Sequence, residues 1–600
     1  MPLLRHLLLV GITSTGLAAC GGGDGHGTGN QHPQASEPNL VPTPGVTDAT
    51  PARPGAGTTP APSSLPDVAD TTPPNRNWDL RTGAHPPDML PLKSALPLSI
   101  ALDTLTVSSP SPRLSVQTTS ATTTTVTLDG RPVLTLTREA GGVTLHSTAS
   151  GTTRLAYHLT GTSTTPLTLY SSTDYRLILD GVVLNSPDGP ALNLPSPQTA
   201  HIELRGASTL TDSAQWRPRN GPDGKPLDMK ATLFAEGPIV FRGTGSLAIQ
   251  ATARHALASD SHLRLISGSL SLKAAARDGI RATDAFVMDG GTLNVETPAG
   301  KGIKVDGQER TDRQALGFVT INGGALTIRS HDKAISASWE AEDDAKTAAL
   351  TDDPDPRITI NGGTISITTT GPVRNDSDDP KDPNAPSPEG IEAKSVLAIN
   401  GGDLRLDTMD DAFNAGTHFE MTAGRVHAHS RHNDAIDSNG TIAIRGGVLV
   451  ATSQGPEPEG AIDSDGSDFI VTGGTFVGLG YYNSTPAASK STQNIVSITN
   501  GRNDAVTPGL WTLRDARGQV AFSFQVPFAA HYMTVSSPRI TTGTTYSLVT
   551  GGTLGAVGSR FHGLAIEPTT HTGGTAQLNF TVQDRLSSLG RPFEWSPAGP

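Results

Sequence analysis

The sequence predicts an all-β fold: a right-handed parallel β-helix (solenoid) with β caps, preceded by a disordered stalk. Three observations carry that prediction. First, one phrase recurs between Gly245 and Gly474: alternating apolar residues, Gly-Gly or a degenerate form of it, then alternating apolar residues again. Aligned on the second glycine, the copies fall at 245, 268, 291, 324, 363, 402, 424, 447 and 474, in steps of 23, 23, 33, 39, 39, 22, 23 and 27. A base period near 23 with insertions is the mark of a solenoid. Second, the alternation on both sides of each glycine pair has period 2, so every repeat is a strand–turn–strand unit. The LxxLxL spacing of a leucine-rich repeat is absent. Third, only 4 % of residues are aromatic while Gly (66) and Pro (46) abound, which suits a thin solenoid core of small aliphatic side chains.

Taken in order, residues 1–19 read as a signal peptide: Arg5 and His6, the apolar run Leu7–Ile12, then small residues. Leu17-Ala18-Ala19-Cys20 matches the bacterial lipobox, which makes Cys20 the expected lipidation site and the stalk a lipoprotein tether. As the single cysteine, it has no intrachain disulfide partner. Gly21 follows it, not Asp, so by resemblance to sorted lipoproteins the destination is the bacterial cell envelope, at the outer membrane or cell surface. Residues 20–92 are rich in Gly, Pro, Thr, Ala and Ser and bury too little apolar area to offset ordering entropy. Residues 93–235 carry short alternating runs such as Val133–Leu136 and His201–Leu204, and are expected to form an N-terminal β cap and the first coils. Residues 236–480 are the regular ladder. Its insertions, around 308–315, 339–356 and 371–388, are polar, the last two rich in Asp and Glu. Residues 481–555 read as a C-terminal β cap, and 556–600 as a further strand or two, around 576–582, with a loose tail.

A second motif follows the glycines by about ten residues where no insertion intervenes: Asp278-Gly279-Ile280-Arg281, Lys301-Gly302-Ile303-Lys304, Lys333-Ala334-Ile335-Ser336, Glu389-Gly390-Ile391-Glu392, Asp411-Ala412-Phe413-Asn414, Asp434-Ala435-Ile436-Asp437 and Gly460-Ala461-Ile462-Asp463. The apolar third position is expected to face inward and the fourth outward. Stacking at about 4.8 Å then places Glu392, Asn414, Asp437 and Asp463 in one column. Glu389, Asp411 and Asp434 form a second column, with Asp410, Asn433, Glu459 and Asp465 close by. Like charges this close repel unless a cation or a proton relieves them. Ca²⁺ takes six to eight oxygen ligands, so these residues form the expected metal site. For any one of them, the alternative is an Asx corner bonded to local backbone. In the upper coils Arg281, Lys301 and Lys304 make the columns basic; they either contact a carboxylate ligand or balance Asp278 and Asp306. His427, His429 and His432 alternate with Arg425 and Arg431, read as an exposed polar strand in preference to a transition-metal site.

The net charge of −13 (57 acidic, 44 basic residues) argues against a nucleic-acid partner. There is no Gly-x-Ser-x-Gly, HExxH or phosphate-loop motif. The ladder with its Asp/Glu-Gly/Ala-Ile motifs resembles a family of bacterial surface lipoproteins, the carbohydrate-binding domain-containing proteins, over roughly 165–550. The likeness includes Tyr175–Val182, Thr232-Leu233-Phe234, Val240–Leu247, Val535–Pro538 and Tyr546-Ser547-Leu548. It is similar to a calcium-binding, polygalacturonate-binding protein with a pectate-lyase-like fold. The resemblance implies a surface-anchored monomer that binds Ca²⁺ and a polysaccharide, uronate-containing, without catalysis. The basic residues Arg281, Lys301 and Lys304 depart from the family's acidic pattern, which implies fewer cation sites. Two alternatives stand beside it: a calcium-dependent polysaccharide lyase with Arg281, Lys304 or Arg431 as base, and a non-enzymatic adhesin or structural surface protein.

Overall fold

The computed structural model describes residues 95–139, 141–307, 317–339, 356–373, 386–500 and 506–591. The signal peptide, Cys20, the stalk and most of the three insertions lie outside the described residues, as does the tail from 592.

Every regular element among the described residues is a strand. Three long sheets of 14, 15 and 14 strands dominate; they are nearly equal because each coil contributes one strand to each. In one coil, Ala285–Met288 lies in the first sheet, Thr292–Thr297 in the second and Ile303–Gly307 in the third. Each pairs in parallel with its counterpart one coil later. Cyclic visiting of three parallel sheets is the arrangement of a β-solenoid.

The glycine pairs mark the corner between the first and second sheets. Gly291 has φ +78, and a Cβ there would sit 2.5 Å from the carbonyl oxygen of Gly268 on the preceding coil. Both the left-handed backbone and the coil-to-coil approach therefore demand glycine. Seven further ladder glycines, from Gly268 to Gly474, also have positive φ, whereas at the degenerate first copy the left-handed residue is Gly243, not Gly245.

Inward side chains stack in columns. In the first sheet Leu263, Phe286, Val319, Ile358, Leu397, Phe419, Ile442 and Phe469 are in register. The third sheet stacks Leu257, Ile280, Ile303, Ile335, Ile391, Phe413 and Ile436. All of these are buried. Each such side chain contributes about 1.5–3 kcal/mol of transfer free energy, and only because the coils above and below cover it.

The ends are closed differently. Ala95–Ala101 pairs in parallel with Arg154–Thr160 and antiparallel with Thr106–Ser108. Leu114–Ser147 is an antiparallel meander whose last strand, Gly142–Ser147, starts the third sheet's parallel run at Leu167–Ser171. The coils thus begin near 154, well before the glycine pairs. At the other end, Thr475–Gly480 pairs antiparallel with Tyr532–Ser536, which pairs with Ile495–Asn500. Beyond these lies a six-stranded antiparallel sheet spanning Gly509–Thr581. The boundary expected at 555 falls inside this module. Thr575–Thr581 pairs with Thr545–Thr550, and Leu586–Arg591 returns to Ile495–Asn500. Thr575–Thr581 is the strand expected around 576–582, and a second strand, Leu586–Arg591, follows it.

Candidate functional site

The second motif occupies the corner between the second and third sheets and the start of each third-sheet strand. The ladder register aligns Ala258, Arg281, Lys304, Ser336, Glu392, Asn414 and Asp437, and a bridge adds Asp463. The first-position residues follow the same stacking. The amide after each donates to the carbonyl of the next, through His255, Asp278, Lys301, Lys333, Glu389, Asp411, Asp434 and Gly460. The fourth-position column runs from basic at Arg281 and Lys304 to acidic at the C-terminal coils, and the first-position column from Lys301 and Lys333 to Glu389, Asp411 and Asp434, with Asp278 before them.

The surroundings differ from the expected outward display. Glu389, Glu392, Asp410, Asp411 and Asp434 are all 7 % exposed or less, and Asn414, Asp437, Glu459 and Asp463 are half-buried; only Asp465 is exposed. Position four does alternate away from the core, but adjacent coils and the corner cover it. Part of the corner chemistry is structural. Asp278 accepts the amide of Lys301 at 2.9 Å, Asp411 that of Asp434 at 2.9 Å, and Asp434 that of Gly460. Inward hydroxyls escaped the sequence reading: Thr369 donates to Pro388, Thr408 to Asp410 and Ser453 to Asn433. Their signal was a Ser or Thr ending each second-sheet strand from Thr292–Thr297 to Val448–Ser453.

The central coils neutralise themselves. Lys333 reaches Glu389 at 2.6 Å and Glu392 at 3.3 Å, and Lys394 also pairs with Glu392. Burial alone would raise Glu392, but Lys333 and Lys394 hold it at about 2. Glu389 stays raised, at about 7, since burial and the charges of Glu392 and Asp410 outweigh Lys333. Its Oε2 is buried with no hydrogen-bond partner.

The C-terminal coils do not neutralise themselves. Among the described residues no cation pairs with Asp411, Asp434, Asp437 or Asp463. Asp434, Asp437 and Asp463 each bring an oxygen within 4.8 Å of the others'. Burial first, then the neighbouring carboxylates, push Asp411 and Asp434 far above the carboxylate range and Asp437 up to about 8. Asn433 donates to Asp410 at 2.7 Å, and Asn414 to Asp411 at 3.2 Å. This oxygen-only donor set, short of positive charge, fits a hard divalent cation such as Ca²⁺.

Of the basic residues, Arg281 and Lys304 both pair with buried Asp306 at 2.9 Å, so they balance that carboxylate. Lys301 is half-buried beside Asp278. Arg431 makes two bonds of 2.8 Å to Asp407 on the second sheet. The histidine strand is exposed only in part: Arg425, Arg431 and His432 are exposed, but His427 and His429 are half-buried. The C-terminal module covers these two, with His562 stacked on His427 at 3.8 Å and Phe528 at 6.4 Å from His429.

Residues 141–433 match the family described as carbohydrate-binding domain-containing protein. No curated protein matches the chain. A solved structure, the polysaccharide lyase-like protein from C. thermocellum (gadolinium derivative), aligns at 18 % identity over 46 % of this chain and 95 % of that one, with a TM-score of 0.30.

Proposed function

We propose that this chain is a non-catalytic, carbohydrate-binding, right-handed β-helix that holds an acidic polysaccharide with the help of Ca²⁺. The observation that carries the reading is the run of carboxylates at Asp411, Asp434, Asp437 and Asp463, the first two buried and the others half-buried, without a countercharge among the described residues. Burying such a set uncompensated is costly, and a bound divalent cation removes the cost. Asp410, Asn414, Glu459 and Asp465 would supply further oxygens, whereas Glu389 and Glu392 adjoin the site on coils that Lys333 and Lys394 neutralise. The match of residues 141–433 to a carbohydrate-binding family supports the glycan part. Ca²⁺ held at the corner would draw in a uronate carboxylate, and the chain's own acids fix its position. Lipidation at Cys20 would tether the protein to the outer membrane or cell surface.

The test is calorimetric titration of the folded chain with Ca²⁺, followed by oligogalacturonate. Ca²⁺ heat and Ca²⁺-dependent oligosaccharide binding are expected. Absence of both removes the reading, and an unsaturated product absorbing in the ultraviolet would replace it with a lyase.

A further inference from the structure

At the opposite end of the same corner, the basic coils enclose a cleft of about 210 Å³ lined by Asp228, Lys230, Arg254, His255, Arg277 and Arg281. Its four cationic side chains fall into two pairs. Lys230 is held by Asp260 at 2.5 Å and Asp228 at 3.0 Å, and Arg281 by Asp306. Arg254 and Arg277, by contrast, are exposed and have no ion-pair partner among the described residues. They are stacked, one residue before His255 and Asp278 on successive coils, because the amide of Ala256 donates to Asp278. Two cationic side chains rooted one coil apart on the same cleft, neither with a carboxylate partner, favour an anion between them.

The floor and one wall of the cleft add two observations. His255 is 7 % exposed, and its Nδ1 has no hydrogen-bond partner. Asp278 Oδ2 lies 3.4 Å from that atom, close enough for an ion pair but without hydrogen-bond geometry. Burial, then the charges of Arg281, Arg277 and Lys304, drive the His255 pKa down to about 3, so the imidazole is neutral and the local potential positive. The loop 212–230, which leaves the same corner one coil earlier, brings Trp216 against Arg254, with the guanidinium 5.3 Å from the ring centroid. An indole beside a guanidinium, with a second arginine one coil on, is a pairing that serves a sugar ring carrying a carboxylate: the planar fork binds the oxygens bidentately and the ring offers an apolar face.

We propose that Arg254 and Arg277, with Trp216 and His255, form an anionic-sugar subsite that takes the carboxylate of a uronate residue without a metal ion. It rests on the acidic-polysaccharide reading above and relocates direct carboxylate recognition from Arg281 and Lys304 to these residues. Asp228, opposite, accepts a sugar hydroxyl. The subsite lies six coil steps from Asp434, on the order of 29 Å along the corner at the spacing of stacked strands.

The experiment compares the wild-type chain with the double variant Arg254→Gln, Arg277→Gln. Both side chains are exposed, so the variant keeps its melting temperature and its Ca²⁺ heat. Its affinity for oligogalacturonate should fall at least about ten-fold, the loss of two charge-assisted contacts. The methyl-esterified oligomer, which has no carboxylate charge, should bind both proteins equally weakly. Unchanged oligogalacturonate affinity in the variant overturns the subsite and leaves the Ca²⁺ reading standing. An equal loss for the esterified oligomer overturns the carboxylate assignment. Failure of the wild type to bind oligogalacturonate at all overturns the acidic-polysaccharide reading and the subsite with it.

Discussion

Asp434 shows how one residue serves two ends. Its carboxylate caps the amide of Gly460, the Asx-corner role, yet it also sits within reach of Asp437 and Asp463. The first role needs only an acceptor; the second needs charge. Asp434→Asn separates them. The amide oxygen still accepts from Gly460, while one of several buried like charges disappears. With a chelator present, the variant should be as stable as the wild type or more so, by about 1 kcal/mol. Added Ca²⁺ should raise the wild-type melting temperature and leave that of the variant nearly unmoved. Equal destabilisation of the variant with and without Ca²⁺ would assign the residue to the corner alone. The candidate ligands were legible in sequence because strand stacking turns a fixed offset from the glycines into a column. Their burial was not, because alternation tells which way a side chain leaves the strand but not what covers it. The balance of Arg281 and Lys304 by Asp306 was one of two readings open in sequence, and the structure selects it: Lys304 and Asp306 share one strand two residues apart, and Arg281 reaches Asp306 from the coil before.

At the scale of the repeat, the residue before each glycine pair builds a ladder of its own. Arg264 bonds Asp289 at 2.7 Å, and Asn322 donates to Asp289 at 2.8 Å. Asn361 then donates to Asn322 at 2.8 Å, Asn400 to Asn361 at 3.0 Å, and Thr422 caps the run at Asn400. Each amide uses one donor and one acceptor along the stack, so the ladder pins the coil register at the corner where glycine leaves the backbone least constrained. Asn361→Ala removes two of these bonds and should cost about 1–2 kcal/mol, read as a shift in chemical denaturation midpoint with unchanged slope. Asn400→Ala should cost no less, since it also frees Thr422. A null effect at Asn361 would mean that solvent replaces the ladder fully. The glycine period made the ladder's positions readable in advance. The first coils, from Arg154 to Thr211, lacked that period and so were located only by their parallel pairing.

For the molecule as a whole, closing the C-terminal end decides more than capping. A long solenoid ends in an unpaired sheet edge, and the C-terminal module occupies that edge and also reaches back over the second sheet. There the rings of His429, His427 and His562 stack, and Arg425 lies 4.5 Å from the ring of Phe561. Sequence could not disclose this, because His562 is more than a hundred residues from His427 and belongs to no repeat. The contact predicts a pH response. Burial first, then His562 and His429, lower the His427 pKa from 6.5 to about 3, against the opposing pull of Asp407. His429 and His562 are lowered as well, with Arg431 facing the first and Arg405, Arg425 and Asp403 the second. A folded-state pKa below the unfolded one means full stability above about pH 6.5, lost progressively as pH falls toward 3. Acidification should therefore loosen the module from the coils, at a cost on the order of 2 kcal/mol after allowance for partial exposure. Hydrogen exchange at Tyr532–Ser536 should rise between about pH 6 and pH 4 while exchange in the central coils holds. Carboxylates titrate in the same window, so the comparison that isolates the histidines is His427→Gln, whose acid-induced exchange should be flatter than that of the wild type. An identical pH profile in the two proteins would remove the ring stack as its cause.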